Sequence, residues 1–155
     1  MKAKAVFQKK LKGYVIFEQK NKNEPVHIKG HIEKLKPPGK HGFHIHTFGD
    51  IESTDCMKCG SHWNPFGKNH GGRHDVESHS GDLGNITANE NGISNFKFKT
   101  NKIQIFGNIE NSIIGRSVVI HKDMDDCGKG NHDDSLTTGH AGARIDCAVI
   151  GHSSF

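Results

Sequence analysis

The sequence predicts an all-β fold, an antiparallel sandwich or barrel of about eight strands, on three observations. No stretch sustains helical periodicity. Short runs that alternate apolar with polar residues, rich in β-branched and aromatic side chains, recur between turn signals. Glycine is abundant, 19 of 155 residues, while the apolar share is only 32%. Such a composition suits turns and loops around a compact β core and suits helices poorly. The length predicts one domain over residues 1–155, long enough to bury a real core.

The expected strands are Ala3–Phe7, Tyr14–Gln19, Val26–Leu35, Gly42–Thr47, Asn85–Ala88, Ile93–Lys99, Ile103–Phe106, Ser117–His121 and Cys147–Ile150. Asn89-Glu90-Asn91-Gly92 reads as a hairpin turn, because Asn and Gly accept positive φ, and Pro37-Pro38-Gly39 is another break. Gly49–Gly84 and Lys122–Arg144 are long and nearly strandless. Loops beyond about 15 residues are uncommon and usually functional or disordered. Something other than strand ladders must order these two, and a metal or a disulfide is the obvious means.

Net charge is +4 and the basic residues are scattered, with no block of like charge, which argues against nucleic-acid binding. The N-terminal segment MKAKAVFQKKLKGYVIF has no apolar core of signal-peptide length, and no segment reads as a membrane span. A cytoplasmic, membrane-free location is therefore expected. Four cysteines allow three full pairings, among which spacing does not choose.

Histidine is the outlier, at 13 residues. Any one of them is most simply a solvated surface residue, so spacing has to decide. His44-Ile45-His46 lies on an expected strand, where residues i and i+2 share a face, so two imidazoles stand side by side. His121 closes the apolar strand Val118-Val119-Ile120. The first long loop adds His62-Trp63-Asn64-Pro65, His70-Gly71-Gly72 and His79-Ser80-Gly81-Asp82, at spacings that let a Gly-rich loop wrap a metal. Three imidazoles and a carboxylate suit zinc, and three or four imidazoles suit copper. Taken together the fragments point to two metals.

Gly42-Phe43-His44-Ile45-His46, the His62–Pro65 run, His70-Gly71-Gly72, Gly81-Asp82-Leu83-Gly84-Asn85 and Gly139–Gly151 resemble the Cu/Zn superoxide dismutase family, in order, over nearly the whole chain. The resemblance implies an eight-stranded Greek-key β-sandwich or barrel with two long functional loops. It implies dismutation of superoxide to oxygen and peroxide, a defence against reactive oxygen species, with Cu and Zn as cofactors. It assigns copper to His44, His46, His62 and His121, and zinc to His62, His70, His79 and Asp82. His62 bridges the metals and holds a proton for the product. Arg144 holds the anion, and Asp125 links His44 to His70 from behind. Cys56 and Cys147 match the family's intrachain disulfide, which closes a long loop and contributes about 4 kcal/mol. The resemblance also implies a homodimer, through Phe48-Gly49, Ile114-Gly115-Arg116 and Val149-Ile150-Gly151. The segment Arg144-Ile145-Asp146-Cys147 lacks a nearby Pro, from which a copper chaperone is expected to be dispensable.

Some positions depart from the family. Arg73 replaces a usual Pro after Gly71-Gly72, which is expected to loosen the zinc loop by restoring φ freedom. Asp123 and Thr137 stand where lysines are common, so the field that draws in the anion is expected to centre on Arg144. Cys59 and Cys127 are additional, either as a second disulfide or as two thiols. His27, His31, His74, His132, His140 and His152 fit no ligand position, and His41 is expected to pack beside the site without being a ligand. Two other functions use fewer of these residues. A copper-buffering module predicts a lost ligand or a lost Arg144, and a zinc-only structural protein leaves His44, His46 and His121 unexplained.

Overall fold

A computed structural model describes residues Met1–Ser154. Eight strands form in chain order: β1 (Lys2–Phe7), β2 (Lys12–Glu18), β3 (Val26–Glu33), β4 (Gly39–His46), β5 (Asp82–Ala88), β6 (Ser94–Thr100), β7 (Ser117–His121) and β8 (Arg144–His152). They make one antiparallel sheet in the order β5-β4-β7-β8-β1-β2-β3-β6, which curls until its two edges face each other as a nearly closed barrel. Among the described residues no helix is long and apolar enough to cross a membrane.

The alternation read from the sequence is the alternation of burial. On β3, Val26, Ile28 and Ile32 are buried while His27 and Lys29 face water. Phe7, Phe17, Phe43, Ile45, Leu83 and Ile120 join them in the core. Strand β4 differs, because His41 through His46 are buried without interruption. Phe43 and Ile45 point into the barrel, and His44 and His46 point the other way, where the long loops cover them. A polar face under cover needs a reason, and the site supplies it.

Two expectations need correction. Ile103–Phe106 is no strand. Ile103 and Ile105 are buried, which explains the alternation, but the Ile105 N–H is satisfied at 2.8 Å by the side-chain carbonyl of Gln19 and by no neighbouring strand. The Asn89–Gly92 turn forms, with the Gly92 N–H on the Asn89 carbonyl at 3.0 Å. It joins the two edge strands β5 and β6, which are not ladder partners, so it is no two-stranded hairpin.

The expected apolar patch is smaller than the segments suggest. Phe48, Gly115 and Val149 are exposed, whereas Ile150 is buried in the core. Arg116 folds back, its guanidinium 4.4 Å from the Trp63 ring centre and donating to the carbonyl of Thr47 at 3.0 Å.

Gln19 is itself buried and also donates to the Glu24 carbonyl at 2.9 Å. Gln19→Met keeps the volume but orphans the Ile105 N–H. It should lower unfolding stability by about 1–3 kcal/mol, read as a shifted denaturant midpoint at unchanged slope.

Candidate metal centre

The site forms where β4 and β7 meet the first long loop. The loop is sewn to β4 by backbone bonds: Ile45 N–H to the Gly81 carbonyl, Trp63 N–H to Ile45 and Gly81 N–H to Trp63, each 2.9 Å. A Cβ on Gly81 would collide with the Ile45 carbonyl, so only glycine allows this approach. A β-bulge between Ile120 and His121 turns the His121 side chain toward the β4 histidines.

Two clusters of donor atoms result, and they share one residue. His44, His46, His62 and His121 converge on one side, and His62, His70, His79 and Asp82 on the other, all buried. His46 Nε2 and His121 Nε2 lie 3.4 Å apart, and His62 Nδ1 and His79 Nδ1 lie 3.2 Å apart. Four donors at 2.0–2.1 Å around a tetrahedral metal would be separated by about 3.3 Å. Asp82 Oδ1 stands 2.8 Å from His62 Nδ1, 2.9 Å from His70 Nδ1 and 3.2 Å from His79 Nδ1.

The other end of each ring is tied to the fold. His44 Nε2 and His70 Nε2 donate to the two oxygens of Asp125, at 2.6 and 2.7 Å. His46 Nδ1 donates to the Gly60 carbonyl at 2.8 Å, and His121 Nδ1 to that of Gly142 at 3.2 Å. With those ends occupied, the inward nitrogens face only one another and the Asp82 carboxylate. Four buried side-chain polar atoms lack a hydrogen-bond partner among the described residues, and three of them are His44 Nδ1, His62 Nε2 and His70 Nδ1. Buried imidazole nitrogens turned inward on one another and on a single carboxylate are what metal ions would satisfy, so the residues fit the two ions.

The electrostatics agree. Burial, reinforced by His62 and His121, pushes His44 and His46 well below the ordinary imidazole range. Burial with His62 brings His121 down to about 3, and burial also lowers His62. These imidazoles are neutral at pH 7, the form that ligates. The other cluster carries charge. Burial opposes ionisation of Asp82, but hydrogen bonds from His62, His70 and His79 hold it far below the carboxylate range. Burial likewise opposes a charged His70, yet Asp125 and Asp82 raise it to about 9.

Sequence reasoning missed several supports. Asn85 takes the Asp125 N–H at 2.8 Å and donates to the Asp125 carbonyl at 3.0 Å, holding the second long loop against β5. A Cβ at Gly139, where φ is 74°, would strike Asp125 and His70. The carbonyl clamps of Gly60 and Gly142 have no side-chain signature. Arg73 does not loosen its loop. Its guanidinium donates to the carbonyls of Leu83 at 2.8 Å and Asn85 at 3.2 Å and lies 3.6 Å from the Phe98 ring centre, so the side chain fastens what the missing Pro would have stiffened. His41, buried, bridges the carbonyls of His121 and Pro37 at 2.8 and 2.7 Å, close to the site and outside both clusters. Cys56 and Cys147 are disulfide-bonded, with Cα atoms 6.0 Å apart, and Cys59 and Cys127 are free thiols. Arg144 donates to the Cys56 carbonyl at 2.9 Å and lines a cavity of about 340 Å³ with His62, Thr137 and Leu136.

A family model described as copper/zinc superoxide dismutase matches residues 11–150. The chain belongs to the copper/zinc superoxide dismutase family. It is 50% identical over 141 residues to superoxide dismutase [Cu-Zn] A of Xenopus laevis, covering 91% of this chain and 89% of that protein. The crystal structure of the clock protein EA4 superposes with a TM-score of 0.87 at 43% identity, covering 97% of this chain and 93% of that one. The chain is thus a superoxide dismutase, an oxidoreductase with copper and zinc as cofactors, and the histidine clusters fit those metals.

The shifted groups set the stability of the metal-free protein against pH. His44, His46, His62 and His121 have folded values below the unfolded 6.5, so unfolding takes up protons below that pH and stability falls on acidification. His70 works the other way: its contribution is complete below 6.5 and is lost as pH rises to about 9. Denaturation of metal-free protein should therefore peak in midpoint near pH 6.5, with the acid limb the steeper. A midpoint flat between pH 4 and 6.5 would contradict the assignment of neutral buried imidazoles.

Proposed function

We propose that His44, His46, His62 and His121 hold the copper, that His62, His70, His79 and Asp82 hold the zinc, and that His62 serves both. The observation that carries this reading is the single imidazole common to both clusters, with Nδ1 toward Asp82 and Nε2 stranded on the other side. In the overall reaction two superoxide anions and two protons become one oxygen and one peroxide. When bound, copper supplies the one-electron redox chemistry and zinc a fixed charge without redox activity.

The chain's own residues do the rest. Arg144 attracts the anion and orients it. Burial lowers its guanidinium, against Cys59 and Asp55, yet leaves it cationic at any working pH. His62 is assigned the proton for the departing peroxide, which its Nε2 would carry when Nδ1 is held on the zinc side. Asp125 positions His44 and His70 together, so both metal sites share one orienting carboxylate. Barrel and loops bury every donor residue.

His121→Ala should empty the copper site and abolish superoxide decay while zinc content stays near one per chain. Loss of both metals together, or full activity, would refute the division of ligands. Arg144→Glu should cut the rate and flatten or invert its fall with ionic strength. Thr137→Lys, facing the same cavity, should steepen that fall, because salt screens charges beyond a Debye length of about 10 Å at 0.1 M.

A homodimer is also proposed. Phe48 is 59% exposed and Val149 37%, and they flank Gly49 and Gly115 on one face. A twofold contact would cover each patch with its copy. Phe48→Glu should convert a dimeric mass in light scattering to a monomeric one, and a wild type that is monomeric at micromolar concentration would end the proposal. A cytoplasmic location is favoured by two free thiols beside one shielded disulfide. Localisation of the tagged chain in the cells that express it tests this, and a secreted product would overturn it.

A further inference from the structure

Neither the metal centre nor the superoxide reaction uses Cys59. It ends the sequence Cys56-Met57-Lys58-Cys59, a single 3-10 turn over Met57–Cys59 that Cys56 caps. The Cys59 N–H donates to the Cys56 carbonyl at 3.1 Å. A turn closed by such a bond brings its end Cα atoms within about 7 Å, against the 4.4–6.8 Å that a disulfide spans. Cys59 is fully buried and packs in one cluster with Cys56, Cys147 and Val119. Cys56 and Cys147 are bonded, and Cys59 is a thiol in the same packed cluster, its Sγ donating to the Asp50 carbonyl at 3.5 Å.

We propose that Cys59 is an internal exchange thiol, which carries Cys56 as a local disulfide until Cys147 replaces it. In the first step Cys56 and Cys59 are oxidised by a small-molecule disulfide, which is reduced to two small thiols. In the second, the Cys147 thiolate attacks Cys56 Sγ. The Cys56–Cys147 bond forms, the Cys56–Cys59 bond breaks, and Cys59 leaves as a thiolate that takes the proton Cys147 gave up. The net change is two thiols oxidised to one disulfide and one small disulfide reduced.

Packing supplies the reason for an internal partner. Cys56 and Cys147 are each about as buried as the barrel core, so a bulky external adduct on Cys56 has no room once β8 has docked. Cys59 occupies no extra space. Its ring with Cys56 spans a separation of 3, whereas Cys56 and Cys147 are 91 apart, so the local bond closes with far less loop entropy. Burial raises the Cys59 thiol above its ordinary pKa, so after transfer it rests as an unreactive thiol and does not attack the finished bond. Cys127 takes no part, since its N–H is bound to Asp125 in the other loop.

The test is reoxidation of the reduced, metal-free full chain by glutathione disulfide, with acid quenching, alkylation and peptide mapping. Lys58 lies between the two cysteines, so trypsin leaves Cys56 and Cys59 on separate peptides that stay joined only by their disulfide. That joined pair should appear before the Cys56–Cys147 pair and then decay, and in Cys147→Ser it should accumulate as the end product. Cys59→Ala should form Cys56–Cys147 at least about tenfold more slowly, and Cys127→Ala at the wild-type rate. Absence of the joined pair from both wild type and Cys147→Ser, or a Cys59→Ala rate within twofold of wild type, overturns the proposal.

Discussion

The carboxylate of Asp125 grips two histidines that belong to different clusters, and most of the centre's geometry depends on that grip. One oxygen holds His44 on β4 and the other holds His70 in the first long loop. The Asp125 backbone is in turn held by Asn85 on β5. A strand, two loops and both clusters are thus fixed relative to one another through a single buried group. Each hydrogen bond also decides which ring nitrogen carries the proton, and so which nitrogen faces inward. The inward set is then a consequence of outward bonding, as the carbonyls of Gly60 and Gly142 repeat for His46 and His121.

This arrangement explains why the outer face of β4 tolerates burial. Polar atoms removed from water cost about 1–3 kcal/mol each when unpaired, and three of the stranded atoms in this chain lie here. The barrel does not offset that cost, because its own core is complete on the other face of β4. Two cations would offset it. The long loops therefore owe their order to several fastenings that act together: backbone bonds to β4, the Cys56–Cys147 bond, the Arg73 clamp and the donor clusters.

Much of this was legible in the sequence, and the unread part has a common cause. Period-two alternation located eight strands because each has one face in the barrel. It misplaced Ile103–Phe106 because alternating burial also arises where a chain crosses the end of a barrel, with Gln19 standing in for a strand partner. The donors of the two clusters were readable because imidazole and carboxylate are chemically distinctive residues at distinctive spacing. Carbonyl clamps were not, since every residue has a carbonyl and only the fold selects one. Arg73 was misread for a related reason: the lost restraint of Pro is visible in sequence, while the gained hydrogen bonds to Leu83 and Asn85 depend on where β5 runs.

The two clusters differ in charge, and the difference bears on where a proton can reside. The His62–Asp82 side holds an ionised carboxylate and the His44 side holds only neutral rings. The carboxylate side therefore attracts a cation the more strongly, and His70, whose charged form Asp125 and Asp82 favour, would have to give up a proton to hold one. His62 Nδ1 faces that side, 2.8 Å from Asp82. In the metal-free chain that ionised carboxylate accepts the proton His62 carries at Nδ1, which leaves Nε2 as a bare acceptor with no partner among the described residues. His62 and Arg144 line one cavity, so the shared imidazole and the guanidinium stand on adjoining walls. One imidazole thus belongs to both the charged and the neutral cluster, and among the described residues no other ring does.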